Sequence, residues 1–168
     1  MAHHGPVHAD QVVVGREQVV ALVSDQLPHL AGLDVVPVPG AGTVNAIFRI
    51  GADIVARFPL RRRDPEQVRR DLDREVRAAT EFAAVCPIAA PLPVHVGEPG
   101  HGYPMPWLAQ TWAAGTTATP TSCENSQAFA DDLTALIGRL HQTNTRGRHF
   151  RGIGRGGVLT DHDRWIGE

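Results

Sequence analysis

The chain has 168 residues, 42% of them hydrophobic and 20% charged, with a formal net charge of −2. That length suits one domain, or one domain with part of another, and that apolar share builds a folded core rather than a disordered polymer. Sixteen basic residues against eighteen acidic ones give no global drive toward nucleic acid or an anionic membrane.

Residues 1–14 read as a flexible N-terminus. MAHHGPVHAD has no apolar h-region and so is not a secretory signal. His3, His4 and His8 are read as a frayed terminus or the remains of a tag, with metal binding as the alternative. A helix is predicted over 16–30, where Val19, Val20, Val23, Leu27 and Leu30 recur at helical spacing and Pro28 marks the last turn. DVVPVP at 34–39 is short, apolar and proline-spiked, which suits an edge strand. GAGTVN at 40–45 is a glycine loop; by itself it reads as a mere hairpin loop, and no helix follows it as a dinucleotide fingerprint requires. NAIFRIG at 45–51 and DIVARFP at 53–59 alternate as two further strands around a Gly51-Ala52-Asp53 turn. The basic run at 61–63 reads as a solvated turn.

A long helix follows to about Val85. Asp64, Pro65 and Gln67 suit the N-cap, N1 and N3 positions of a capping box, and Val68, Leu72, Val76, Ala79 and Phe82 form the apolar stripe. Two more strands are predicted near 93–97 and 106–112, with the turn formers of EPGHGYP as a hairpin tip between them. AAGTTATPTS at 113–122 is a linker of small residues. A second amphipathic helix covers about 124–142, with Phe129, Leu133, Leu136, Ile137, Leu140 and His141 along one side. The tail is rich in glycine and arginine and weakly periodic. Cys86 and Cys123 form neither a CxxC pair nor a zinc spacing, which points to a reducing cytoplasm. No apolar run approaches the roughly 20 residues of a membrane helix. The sum is an α+β layer: a five-stranded antiparallel sheet with one helix inserted after its third strand.

Within this plan Arg57 presents a problem. It lies in GADIVARFP at 51–59, a segment that otherwise asks to be covered, and a lone buried guanidinium is costly. On a helical wheel Glu75 falls about 20° from Val68, inside the stripe of the following helix. A helix that packs this stripe on the sheet brings the two charges together, bidentately where geometry allows. One reading is an ion pair that only fixes the helix. The other takes in the neighbouring loop: a glycine loop between antiparallel strands, a cation on the next strand and an acid on the following helix form the nucleotide side of protein-kinase-like phosphotransferases. Bare backbone N–H groups can approach phosphates, the cation bridges phosphate oxygens, and the acid holds the cation in place.

With GAGTVNAIFRIG, ADIVARFP, DREVRAATEFAA, GEPGHGYPMPWLAQTWAAG and LTALIGRLH in this order, the sequence resembles the aminoglycoside phosphotransferase-like family, from about Val19 to Leu159. The resemblance implies a kinase-like small lobe over 15–112, a hinge over 113–122 and the first helical part of a truncated large lobe over 123–168. It implies nucleotide contacts by Gly40, Gly42, Asn45, Arg57, Glu75 and the hinge-side Gln110, Thr111 and Trp112. Arg57 stands where the family usually has lysine, and a fork and an ammonium are not interchangeable. The implied cofactor is ATP or GTP with Mg2+, and the implied partner is a small-molecule hydroxyl substrate.

Trp107 and Trp112 divide evenly between core and pocket wall, and His141 reads as a packed or capping residue. No catalytic aspartate or metal-binding residue is found: LHQTNTRG at 140–147 has no aspartate, and His162-Asp163 is the nearest approach. The chain therefore reads as the nucleotide-binding part of a small-molecule kinase without its catalytic half. A non-catalytic nucleotide-binding or interaction module and an inactive gene remnant are the alternatives. An uncovered stripe on the helix at 124–142 predicts self-association, or a mobile tail beyond Arg146.

Overall fold

The computed structural model describes residues 12–39, 44–119, 121 and 123–149. Five strands form one sheet: β1 (Val35–Pro37), β2 (Asn45–Ile50), β3 (Ile54–Pro59), β4 (Pro93–Gly97) and β5 (Trp107–Thr111). All neighbours are antiparallel, in the order β1-β2-β3-β5-β4. The predicted α+β layer is thus present, with β5 inserted between β3 and β4.

Register decides what each face carries. Phe48 pairs with Ala56, and Ala56 with Ala109, so these residues share a face with Ile50, Phe58 and Trp107. That face is the core. Phe58 sits at its centre, stacked on Trp107 at 5.1 Å and edge-on to Phe48 and Tyr103. Such contacts add roughly 0.5–1.5 kcal/mol each beyond area burial. The opposite parity, in which Ile47 pairs with Arg57, Arg57 with Leu108 and Val55 with Gln110, forms the second face.

Helix α1 (Arg16–Gln26) contributes Val19, Leu22 and Val23 to the core. It ends four residues short of the predicted Leu30. Pro28 has no N–H and restricts Leu27, so the chain restarts as a 3₁₀ turn over Pro28–Leu30. Gln26 exchanges two hydrogen bonds with the Glu98 backbone, and Gln18 Nε2 donates to His101 O at 2.9 Å, so α1 clamps the β4–β5 hairpin. The predicted hairpin tip is a tight turn with His101 and Gly102 both at positive φ, closed by a Gly100–Tyr103 bridge.

Helix α2 (Pro65–Val85) begins as predicted, with Asp64 accepting from Glu66 N and Gln67 N. The reciprocal half of a capping box does not form, because Gln67 Oε1 accepts from Arg70 Nη2 at 3.0 Å instead, while its Nε2 donates to Asp71 at 2.8 Å. Val68 and Leu72 are buried, Val76 and Ala79 half-buried and Phe82 exposed, so the stripe lifts off the sheet along its length. Helix α3 (Gln127–His141) starts at a Ser126 cap, three residues later than expected, because Asn125 takes a positive φ. None of its residues is buried, and His141 is exposed at its end. Among the described residues no helix is long and apolar enough to cross a membrane.

Candidate nucleotide site

The second sheet face opens into a pocket of about 160 Å³ lined by Ile47, Val55, Arg57, Pro91, Gln110, Thr111, Trp112 and Ala113. Ile47 and Val55 come from β2 and β3. Gln110 to Ala113 come from the end of β5 and the chain leaving it. The structure therefore brings Arg57, Gln110, Thr111 and Trp112 of the predicted site to one cavity. Asn45 opens β2 opposite Pro59, outside the lining. Gly40 and Gly42 lie outside the described residues, as do His3, His4, His8, His162 and Asp163.

Arg57 and Glu75 meet, so α2 lies on the face that carries the pocket. The contact is narrower than a bidentate pair: Arg57 Nη2 alone donates to Glu75 Oε1. Arg57 Nε is shielded from solvent with no partner among the described residues. The pair also sits nearer the surface than a core stripe would place it, with 22% of the Arg57 side chain exposed and 46% of Glu75. Lifting of α2 accounts for this, since Glu75 stands on the helix just where the stripe leaves the sheet. One nitrogen of the guanidinium is anchored, and Arg57 lines the pocket.

The backbone at the pocket's edge is partly committed. Thr111 N donates to Leu92 O at 2.8 Å and Trp112 N to Asp53 O at 2.7 Å. Ala113 N–H has no hydrogen-bond partner among the described residues and is the first free donor along this edge. Spacing alone did not single out Ala113. The two tryptophans separate cleanly. Trp107 is fully buried in the core, its Nε1 donating to Glu98 O at 3.2 Å, whereas Trp112 lines the pocket. Arg49, absent from the sequence-based site, lies with its guanidinium 5.1 Å over the Trp112 ring and donates to Ala52 O at 2.8 Å.

Charge around the site is held by α2 and its neighbours. Asp71 accepts from Arg63, Gln67 and Arg74, and the Arg63 and Gln67 bonds hold its carboxyl below the usual carboxylate range. Arg63 of the basic run thus turns back to α2. Tyr103 donates its hydroxyl to Pro59 O at 2.8 Å, which pins the end of β3, and burial pushes this phenol up. No three His, Cys, Asp or Glu side chains gather to hold a metal ion among the described residues.

A profile described as the phosphotransferase enzyme family matches residues 34–166. The chain belongs to the phosphotransferase enzyme family. The match begins just ahead of β1. Solved structures of similar fold include the GDP complex of wild-type aminoglycoside 2'-phosphotransferase-IIIa, with a TM-score of 0.63 and 17% identity over 79% of this chain and 44% of that one. A GDP and kanamycin complex of APH(2")-IIia matches with a TM-score of 0.60 and 16% identity over 76% of this chain and 42% of that one. The chain thus spans less than half the length of these phosphotransferases. No curated protein matches it significantly.

Proposed function

We propose that this chain is the nucleotide-binding lobe of a small-molecule phosphotransferase, which in a complete enzyme transfers the γ-phosphate of ATP or GTP to a substrate hydroxyl. The observation that carries the reading is the convergence on one pocket of an anchored cation, Arg57, and a free hinge-side donor, Ala113 N–H. A purine fits between the aliphatic floor of Ile47 and Val55 and the edge formed by Trp112 and Ala113. The triphosphate runs toward Arg57, where the fork left free by Glu75 donates to phosphate oxygens. Gly40 and Gly42 are assigned to cover the phosphates from the loop before β2, with Asn45 at its end.

Magnesium accompanies the triphosphate in this chemistry and neutralises its charge. No cluster of three His, Cys, Asp or Glu side chains among the described residues would hold it, and this reading assigns its protein ligands and the catalytic base to the large lobe. GDP complexes of the similar structures support nucleotide binding at this fold. Kanamycin in one of them makes an aminoglycoside one candidate acceptor among other small-molecule hydroxyls. A cytoplasmic setting suits Cys86 and Cys123, neither of which is in a disulfide, and a nucleoside triphosphate partner.

Isothermal titration of the chain with Mg·ATP and Mg·GTP tests the proposal. One-to-one binding of at least one nucleotide is expected, with Val55→Phe abolishing it by filling the base pocket. No heat with either nucleotide at 1:1 up to about 1 mM, a concentration that still detects roughly −4 kcal/mol, refutes nucleotide binding by this lobe. Binding without any phosphoryl transfer to added hydroxyl acceptors is the expected state of the lobe alone.

A further inference from the structure

A second arginine, Arg49, stands on the sheet face that carries the pocket. It pairs with Val36 on β1 and Val55 on β3, so strand parity sets it on the same side as Ile47 and Arg57. Unlike Arg57 it forms no ion pair among the described residues. Its Nε is shielded from solvent and has no hydrogen-bond partner among them. A desolvated N–H on a cation is costly unless something electron-rich faces it. The Trp112 indole takes that part, with its ring centroid 5.1 Å from the guanidinium carbon of Arg49.

This contact closes a small circuit through one turn. Arg49 Nη2 donates to Ala52 O at 2.8 Å, between β2 and β3, where Gly51 takes a φ of 58°. The next residue, Asp53, accepts from Trp112 N at 2.7 Å. The turn therefore holds the Trp112 backbone directly and its ring through Arg49. Trp112 lines the pocket, whereas Arg49 lies outside the lining. The cation thus covers the indole from outside the cavity and leaves the rest of the ring to it.

We propose that Arg49 is a positioning residue for the nucleobase, fixing the Trp112 indole as a preset wall on which a purine stacks. This role rests on the proposed nucleotide binding and adds to it the contact that receives the base. A wall held before binding spares the cost of ordering a free aromatic side chain. Stacking suits either purine, because both present a π-face.

The test titrates the 168-residue chain with Mg·ATP, Mg·GTP, adenosine and guanosine while tryptophan emission is read. Binding should quench the emission, because a stacked purine quenches an indole. Arg49→Met keeps the aliphatic stem and removes the cation. It should weaken nucleoside and triphosphate by the same factor, about 3- to 10-fold. Arg49→Lys should recover part of that loss, since an ammonium still attracts the ring face. Trp112→Leu should remove most of the quench and weaken both ligands at least as much as Arg49→Met. Arg49→Met affinities within about twofold of wild type, or a full quench in Trp112→Leu, overturn this role and leave nucleotide binding intact. A loss confined to the triphosphate would make Arg49 a phosphate ligand and overturns the role equally. So does an Arg49→Met chain that fails to fold by circular dichroism, since the arginine would then serve the sheet rather than the base. A folded wild-type chain that binds none of these ligands refutes nucleotide binding itself, and the role with it.

Discussion

Replacing Arg57 separates its two possible duties, holding the helix and holding phosphate. Its link to Glu75 is a single hydrogen-bonded contact with the carboxylate about half exposed. Pairs in that setting contribute roughly 0.5–1 kcal/mol to folding, or about 1–4 °C in Tm for a chain of this size. A guanidinium donating to a phosphate oxygen inside a partly enclosed pocket contributes more, roughly 1.5–3 kcal/mol, which is about 10- to 150-fold in Kd. Arg57→Ala should therefore cost far more in nucleotide affinity than in stability. Titration of the variant with Mg·ATP or Mg·GTP, beside adenosine or guanosine, reads both. The triphosphate should lose the stated factor while the nucleoside, which lacks phosphate, is unchanged. Arg57→Lys should recover part of the loss, since charge returns without the fork. Glu75→Gln should lower triphosphate affinity by less, roughly 3- to 10-fold, because the cation remains but is no longer anchored. Triphosphate affinity within twofold of wild type in Arg57→Ala would refute the phosphate role and leave the pair as a helix fastener. Equal losses for nucleoside and triphosphate would show damage to the pocket instead.

Other perturbations check the frame around the site. A methyl group at Gly97 would overlap the Trp107 ring, with Cζ2 at 2.5 Å. The indole cannot yield without losing its stacking on Phe58 and its bond to Glu98 O. Gly97→Ala should thus destabilise by roughly 3 kcal/mol, seen as a fall of about 6–12 °C in Tm; a fall under 2 °C contradicts that packing. His95 is held below its ordinary value first by burial and then by the charge of Arg69, with Glu98 opposing. The unfolded state therefore binds more protons, so stability is complete above the ordinary histidine value near 6.5 and falls as pH drops through the lower folded value. Tm measured between pH 7.5 and 5.5 should decline, and His95→Gln should flatten that decline. Tyr103→Phe removes the donor to Pro59 O and should cost about 1 kcal/mol; thermal melts that match wild type would show that the end of β3 is held by packing alone.

The sheet could be read from the sequence because each strand announces itself locally. Alternation in NAIFRI and IVARFP, a glycine turn between them, and Asp64 with Pro65 at a helix start are all signals within a few residues of their effect. The site was harder to read, because it depends on which strand lies beside which. Trp107 and Trp112 have similar surroundings in the sequence. What separates them is that Trp107 pairs with Gly97 across the hairpin, where only a bare backbone leaves room for an indole, while Trp112 lies past the end of β5. Arg57 and Glu75 could be matched because one strand parity and one helical wheel suffice. Their single contact and half exposure could not be foreseen, since they follow from α2 leaving the sheet after Leu72. The committed N–H groups of Thr111 and Trp112 were equally hidden, because Asp53 and Leu92, which occupy them, lie 59 and 19 residues away along the chain. Parity nevertheless carries one step further than a list of charged residues. Once Arg57 is set facing α2, every second residue of β3 and its pairing partners on β2 and β5 must face the same way. Val55, Ile47 and Gln110 follow from Arg57 by counting in twos, and they are the walls of the pocket. A charge in an otherwise apolar strand thus identifies more than its own partner: it assigns the sheet face on which a polar ligand can be received.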